Sequence, residues 1–131
     1  MKKKLFLIAS PSILKSDGEL IRNEDAIKMI HLYQLNNDGD IHKTFAVKFS
    51  LDDLSEIQKL LSITKADGFA LYYGMYPKDG SLNPAGKHYS ERQNVIIVPT
   101  IGGKPVIDID AKYDPSKASG ADAYDHGELN P

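Results

Sequence analysis

The chain has 131 residues, enough for one ordinary domain that buries a core without cross-links. Its hydrophobic content of 41%, charged content of 26% and net charge of -2 are typical of a globular protein, and they indicate no general attraction to nucleic acid or to an anionic membrane. The absence of cysteine excludes disulfides, thiolate metal ligands and thiol nucleophiles.

The N-terminal segment has the basic and apolar character of the start of a secretory signal. Its apolar run ends at Ser10-Pro11, however, so it is shorter than the usual ~7 to 15 residues, and no small-x-small cleavage site follows. The segment therefore favours a first strand, Lys4 to Ala9, and a cytoplasmic location, with secretion as the alternative. No run approaches the ~18 to 20 apolar residues of a membrane span.

A first helix is predicted to begin at Asn23, which can cap its first turn, with Glu24 and Asp25 at the positive end of the helix dipole. The turn-forming residues 36–40 end it. The next run, Ile41 to Phe49, alternates and predicts a strand with one apolar and one wet face. The members of the two faces are Ile41, Lys43, Phe45, Val47, Phe49 and His42, Thr44, Ala46, Lys48.

A second helix is predicted from Ser50, which caps it, with Asp53 three residues later as a short-armed capping box. Its apolar residues recur at helical spacing. They are Leu51, Leu54, Ile57, Leu60 and Leu61.

The segment from Gly68 to Tyr76 is the longest β-favouring run without a charge. Both of its alternating faces are mostly apolar, which is typical of a central strand covered on both sides. Pro77 ends it, because proline cannot donate a hydrogen bond to a sheet ladder.

A long connection, residues 77–94, follows, and connections of this length tend to be functional or mobile. Gln93 to Ile101 then predicts a strand, and Gly102-Gly103 is a two-residue hairpin signal that returns Lys104 to Ile109 antiparallel.

The fold class predicted from these elements is α+β, an antiparallel sheet of about four to five strands with two helices packed on one face. Residues 1–110 form the single domain of this prediction. Residues 111–131 are a polar C-terminal tail with almost no large aliphatic residue, docked on the domain or on a neighbouring subunit. Its expected anchors are Tyr113, Tyr124 and Leu129.

Three local patterns resemble an uncharacterised family of small proteins encoded mainly by Bacteroidetes-type bacteria. They are the acidic helix start Glu24-Asp25-Ala26 with Met29-Ile30 and Tyr33, the strand-to-helix passage Val47 to Leu61, and Gly68-Phe69-Ala70-Leu71-Tyr72-Tyr73-Gly74. The last is similar to the family's Gly-x-x-x-Tyr-Phe/Tyr-Gly strand, which precedes an Ile/Val-rich strand matched here by Asn94 to Thr100. The resemblance covers roughly residues 23 to 110.

That resemblance implies one compact α+β domain and no known activity. Members of the family often close with a Cys-Pro-Pro-x-Cys-like tail after an acidic segment. The present chain ends Asp125-His126-Gly127-Glu128-Leu129-Asn130-Pro131 without a cysteine, so no metal or redox role carries over.

Reaction chemistry has weak signals. The four histidines lack metal-ligand spacing, and neither Asp108-Ile109-Asp110 nor residues 36–40 meets the requirements of a calcium loop. No Gly-x-Ser-x-Gly elbow is present, and Gly102-Gly103-Lys104 precedes a strand rather than a helix, which disfavours a phosphate cradle. We expect no catalytic residue, no metal and no cofactor.

The most suggestive set combines aromatic and basic residues of the presumed central strand and the connection after it. Tyrosine and arginine are enriched at binding hot spots. The candidate binding surface is Tyr72, Tyr76, His88, Tyr89 and Arg92. The simpler interpretation is that Tyr72 packs under a helix and the connection is merely solvated.

The sequence favours a small non-enzymatic binding or protein-interaction module that works through the 77–94 connection and the tail. The expected partner is an unknown protein or a second copy, as a homodimer through a sheet edge or the tail, and neither nucleic acid nor a membrane is expected. The alternative is a small enzyme or ligand-binding protein with a pocket near the central strand and the 77–94 connection.

Overall fold

The computed structural model describes residues 18–114 and 120–130. The predicted first strand, Lys4 to Ala9, lies outside them. The chain divides into two compact units, residues 1–36 and 37–131. None of the helices in the described ranges is long and apolar enough to cross a membrane.

The first unit contains helix α1, Asn23–Asn36. It spans the predicted residues, but Asn23 is not its cap: the Arg22 carbonyl accepts the first hydrogen bonds, from the N–H groups of Asp25 and Ala26, so Asn23 lies inside the first turn. No residue of α1 is buried.

The described residues of the second unit form one helix and five strands. They are β1 (Ala46–Lys48), α2 (Leu51–Thr64), β2 (Gly68–Met75), β3 (Gln93–Ile101), β4 (Lys104–Pro105) and β5 (Glu128–Asn130). The α+β prediction is confirmed. The strands form two antiparallel sheets, however, a two-stranded sheet β1-β5 and a three-stranded sheet in the order β2-β3-β4, rather than one sheet of four to five.

Helix α2 follows from its local sequence. The Ser50 hydroxyl accepts a bond from the Asp53 N–H, and the Asp53 carboxylate accepts one from the Ser50 N–H, so the predicted capping box is confirmed. Lys65 ends the helix in a left-handed conformation with φ of 60°. The helix packs against β3, and Ile57 is its buried residue.

Strand β3 is the central strand of its sheet. It pairs with β2 from Gly68↔Thr100 to Met75↔Gln93 and with β4 through the predicted Gly102-Gly103 hairpin. Both glycines of that turn have positive φ, as a two-residue hairpin requires. Strand β4 is shorter than predicted because its partner runs out of donors: the Val106 N–H donates to the Pro99 carbonyl over 3.0 Å, but Pro99 has no N–H to return to Val106.

Two predicted strand properties are wrong. Among the described residues the segment 68–76 is not a central strand covered on both sides: β2 pairs with β3 alone, and one of its apolar faces is exposed. The run 41–49 is a strand only at β1, because its first half bonds elsewhere. His42 accepts from the Gln93 N–H, and Thr44, expected on the wet face, is buried with its hydroxyl on the Gln93 carbonyl.

Strand β5 brings the end of the polar C-terminal segment into the core. It pairs antiparallel with β1, with Leu129 opposite Val47. Tyr124 forms a separate bridge to Ile97 of β3. Tyr113, also expected to be an anchor, is instead 84% exposed.

Candidate functional site

The predicted binding residues are divided between the core and the surface. Tyr76 and Tyr89 pack against each other with ring centroids 5.5 Å apart, and they form the buried core cluster together with Leu129. Tyr76 is only 2% exposed. The Leu129 N–H donates to the Tyr89 hydroxyl over 3.3 Å. These two rings therefore hold the C-terminal strand in place and present almost no area to a partner.

Arg92 lies beside this core. Its guanidinium carbon is 5.8 Å from the centroid of the Tyr89 ring, at cation–π range, and its Nη2 is 3.5 Å from the Thr44 hydroxyl. His88 is exposed and Tyr72 is half-buried. Within the described residues neither makes a hydrogen bond or ring contact with the other three, so the structure brings together Tyr76, Tyr89 and Arg92 only.

A β-bulge fixes the end of the long connection onto β2. The Glu91 N–H donates to the Tyr76 carbonyl over 2.9 Å, and the Tyr76 N–H donates to the Arg92 carbonyl over 3.0 Å. Glu91 has φ of 62°, the left-handed conformation that such a bulge requires and that usually belongs to glycine. The connection is thus bonded back onto β2 at this end.

A polar cluster surrounds the Tyr76 hydroxyl, and sequence reasoning missed its other members. The hydroxyl lies 3.3 Å from Nδ1 of His126, whose ring stacks on Tyr76, and the same nitrogen is 3.7 Å from Oδ2 of Asp125. The Asn94 amide donates to both Asp125 carboxylate oxygens, at 3.2 and 3.3 Å. Gly74 makes room for it, because a Cβ there would collide with Oδ1 of Asn94.

Burial of Tyr76, with the Asp125 carboxylate as a second cause, raises the pKa of its phenol to about 12. A phenol that is buried and neutral serves packing better than proton transfer near pH 7. In the part of the chain that the structure describes, no three His, Asp or Glu side chains are grouped to hold a metal ion. The cluster's evident role is to attach residues 125–129 to the sheet.

A second tail contact joins the C-terminal segment to α2. The Tyr124 hydroxyl donates to Oδ1 of Asp53 over 2.5 Å. This bond lowers the pKa of Asp53 and is the largest cause that raises the pKa of Tyr124 to about 12. Asp53 thus caps α2 and binds the tail, which its position in the capping box alone did not indicate.

An open cleft of about 430 Å³ lies away from all of the predicted site residues. Its lining consists of Ile63, Thr64, Ile101, Lys104, Pro105, Val106 and Asp122. The charged groups are one ammonium and one carboxylate, and nothing in this lining converges on a reacting atom.

One face of β2 carries apolar side chains that are exposed. Four alternate residues, here called the β2 row, place apolar side chains on one face, each between 51% and 82% exposed. They are Phe69, Leu71, Tyr73 and Met75. Single exposed apolar residues are normal on a protein surface, whereas a contiguous exposed row is unusual.

The backbone of β2 is also open, as the bonds of its neighbour show. Ile97, which lies opposite Leu71, exchanges N–H···O=C bonds of 2.8 and 2.9 Å with Tyr124 on the far side of β3. Leu71 and Ile97 are therefore a non-hydrogen-bonded pair of the antiparallel ladder. The N–H and C=O of Leu71 consequently point away from β3.

Alternation along the strand extends this result to the whole β2 row. In an antiparallel ladder, the backbone groups of successive residues point alternately toward and away from the paired strand. Tyr76, one position beyond β2 and five positions from Leu71, donates its N–H to the Arg92 carbonyl on the β3 side, as this alternation requires. The backbone groups of Phe69, Leu71, Tyr73 and Met75 thus face outward, and no strand pairs with that edge among residues 18–114 and 120–130. The same four residues present exposed apolar side chains and backbone donors and acceptors to which no described strand bonds.

The opposite edge of this sheet is built differently. Strand β4 is two residues long and consists of Lys104 and Pro105, a charge and a residue without an N–H. Short edge strands, lysine and proline are the means by which proteins prevent edge-to-edge pairing. The β2 edge has eight residues and none of these protections.

The described residues form an α+β fold whose three-stranded sheet has one protected edge, at β4, and one edge, at β2, that no described strand pairs. Comparisons of the chain with protein-family models, with curated proteins and with solved structures gave no match. The resemblance to small Bacteroidetes-type proteins therefore stays a prediction from the three sequence patterns.

Proposed function

We propose that this protein is a non-enzymatic protein-interaction module that binds an extended polypeptide segment along the outer edge of β2. The observation that carries the proposal is the coincidence, in the β2 row, of exposed apolar side chains and outward-facing backbone groups. Strand addition uses both, since main-chain hydrogen bonds supply affinity and alternate side chains supply specificity.

The binding surface in this proposal differs from the surface that the sequence favoured. The 77–94 connection contributes Tyr89 to the core, and the tail contributes Leu129 to it, so these two side chains are not available to a partner. The alternative, an enzyme or ligand-binding protein with a pocket beside Tyr76 and Arg92, has less support, because the buried groups there are explained by attachment of the tail.

The proposal is tested by capture from an extract of the source cells. We expect the wild-type chain to retain a partner that the double variant Leu71→Lys/Tyr73→Lys does not, because two ammonium groups on the apolar row must be desolvated on binding. Ile63→Lys/Leu82→Lys is the matched control, since it replaces two similarly exposed aliphatic residues outside β2. Circular dichroism and thermal melting establish that both variants fold.

Equal capture by the wild-type chain and the β2 double variant would refute the proposal. Loss of capture in the control alone would instead assign binding to the region of Ile63 and Leu82.

A further inference from the structure

We propose that the segment bound along β2 is the β2 strand of a second copy of this chain. The two copies pair antiparallel across a two-fold axis and form a continuous six-stranded sheet in the order β4-β3-β2-β2-β3-β4. This inference rests on the proposed function, because it names the partner for the same open edge.

Charge favours this partner. The segment from Gly68 to Tyr76 contains no charged residue, so the strand meets its own copy without repulsion between like charges. It also contains no proline, and every residue can donate its N–H. An antiparallel pair places the apolar row of one copy beside that of the other on one face.

The positions of the outward-facing groups select one register. With Tyr72 of each copy opposite the other at the axis, Phe69 lies opposite Met75 of the second copy, and Leu71 lies opposite its Tyr73. The outward-facing residues then form four pairs, each of which can exchange two N–H···O=C bonds. The paired side chains are aromatic or aliphatic throughout.

Two other registers also pair outward-facing residues with each other, but each brings an unfavourable flanking residue into the pairing. A shift that centres Leu71 on the axis places Met75 opposite the charged Asp67. A shift that centres Tyr73 places Phe69 opposite Pro77, which has no N–H to donate. The pairing centred on Tyr72 avoids both residues.

The assembly closes at two copies. A two-fold pairing consumes both β2 edges, and the outer edges of the combined sheet are then the two β4 strands with Lys104 and Pro105. The edge that the dimer leaves open is thus protected by Lys104 and Pro105. The edge that the dimer uses carries no charge or proline in β2, and no described strand covers it. One strand pair buries a small area for a specific interface, so we expect a dissociation constant on the order of 10 μM.

The test uses single-cysteine variants, which are clean because the chain has no cysteine of its own. In the expected register the two Tyr72 positions form a non-hydrogen-bonded pair with Cα atoms about 4.5 Å apart, within disulfide range. Oxidised glutathione should therefore convert Tyr72→Cys to a disulfide dimer at least about ten times faster than Leu71→Cys or Tyr73→Cys. Lys59→Cys, on α2, is the off-site control.

A second measurement avoids any folding defect from replacing the half-buried Tyr72. In the expected register Leu71 and Tyr73 are opposite each other, so a mixture of Leu71→Cys and Tyr73→Cys should cross-link as a mixed dimer faster than either variant alone. Both side chains are mostly exposed, so their replacement disturbs the packing of the fold less than the loss of Tyr72 does.

The outcomes separate this inference from the proposed function. Preferential cross-linking at Tyr72, or in the mixture, supports self-pairing. Cross-linking no faster than for Lys59→Cys, together with a monomer by light scattering at 200 μM, overturns it. If the Leu71→Lys/Tyr73→Lys variant then still loses partner capture, the proposed function stands with a different occupant; if it retains capture, both fail.

Discussion

Replacing Tyr76 with phenylalanine should remove a specific part of the protein's sensitivity to alkali. The folded state raises the pKa of this phenol from 10.0 to about 12, mainly by burial. The unfolded chain therefore loses this proton first as the pH rises, and stability that is fully present below pH 10 is lost between pH 10 and 12. At about 1.4 kcal/mol per pKa unit, the loss is about 1.4 kcal/mol by pH 11 and about 3 kcal/mol above pH 12.

The assay is urea unfolding followed by far-ultraviolet circular dichroism at pH 8 and pH 11. At pH 8 the variant should lose about 1 kcal/mol, because the hydroxyl contact with His126 disappears. Between pH 8 and 11 it should then lose about 1.4 kcal/mol less than the wild-type chain. Tyr73→Phe is the matched control, since its hydroxyl lies on the exposed face of β2. Equal alkaline losses in Tyr76→Phe and Tyr73→Phe would refute the reasoning.

The other predictions concern stability and are measured by urea or thermal unfolding. Leu129→Ala should cost about 3 kcal/mol because it empties part of the core cluster, while Tyr113→Ala should change stability by less than about 0.5 kcal/mol; similar costs would place β5 outside the folded core. Tyr73→Pro should lower the free energy of unfolding by about 1 kcal/mol, since the Tyr73 N–H faces outward. Tyr72→Pro should lower it by about 3 kcal/mol or more, because it removes a hydrogen bond to β3. A larger loss for Tyr73→Pro would mean that the odd-numbered residues face β3 instead. Glu91→Gly should stabilise the fold by up to about 1 kcal/mol by relieving its positive φ, and a loss of stability would show that the Glu91 side chain has a role of its own.

The elements that the sequence predicted well are those encoded by neighbouring residues. The Ser50–Asp53 capping box, the start of α1 at Asn23 and the Gly102-Gly103 turn each depend on a few adjacent side chains. Their hydrogen bonds form within one or two turns of chain, so a pattern of residue types is enough to identify them.

The position of β2 in its sheet could not be read in the same way. An apolar face predicts contact with something, but the pattern cannot distinguish a layer of the same chain from a partner molecule. Both faces of β2 are mostly apolar, and the face that carries the β2 row is nevertheless exposed. The hydrogen bonds between Ile97 and Tyr124 are what show that the backbone groups of Leu71, opposite Ile97, point away from β3. The sequence pattern does not contain this information.

Strand β5 and the polar cluster were missed for a related reason. Glu128-Leu129-Asn130 has one apolar residue and becomes a strand only by pairing with β1. Asp125 and His126 reach Tyr76 across about fifty positions of sequence. Tyr76, Tyr89 and Arg92 were predicted together as part of one binding surface, and the structure does bring them together. The two tyrosine rings, however, are buried in the core cluster rather than exposed to a partner.

The most direct test of the open edge is residue-resolved amide hydrogen exchange of β2 in dilute and in concentrated protein. We expect the amides of Ala70, Tyr72 and Gly74 to be protected at every concentration, because they face β3. The amides of Phe69, Leu71, Tyr73 and Met75 should exchange rapidly near 1 μM and slow at least about tenfold near 1 mM, as the second copy covers them.

Equal protection of odd- and even-numbered amides in dilute protein would contradict the account, since it would mean that the chain itself covers this edge. Rapid exchange of the β2 row at both concentrations would contradict pairing with a second copy.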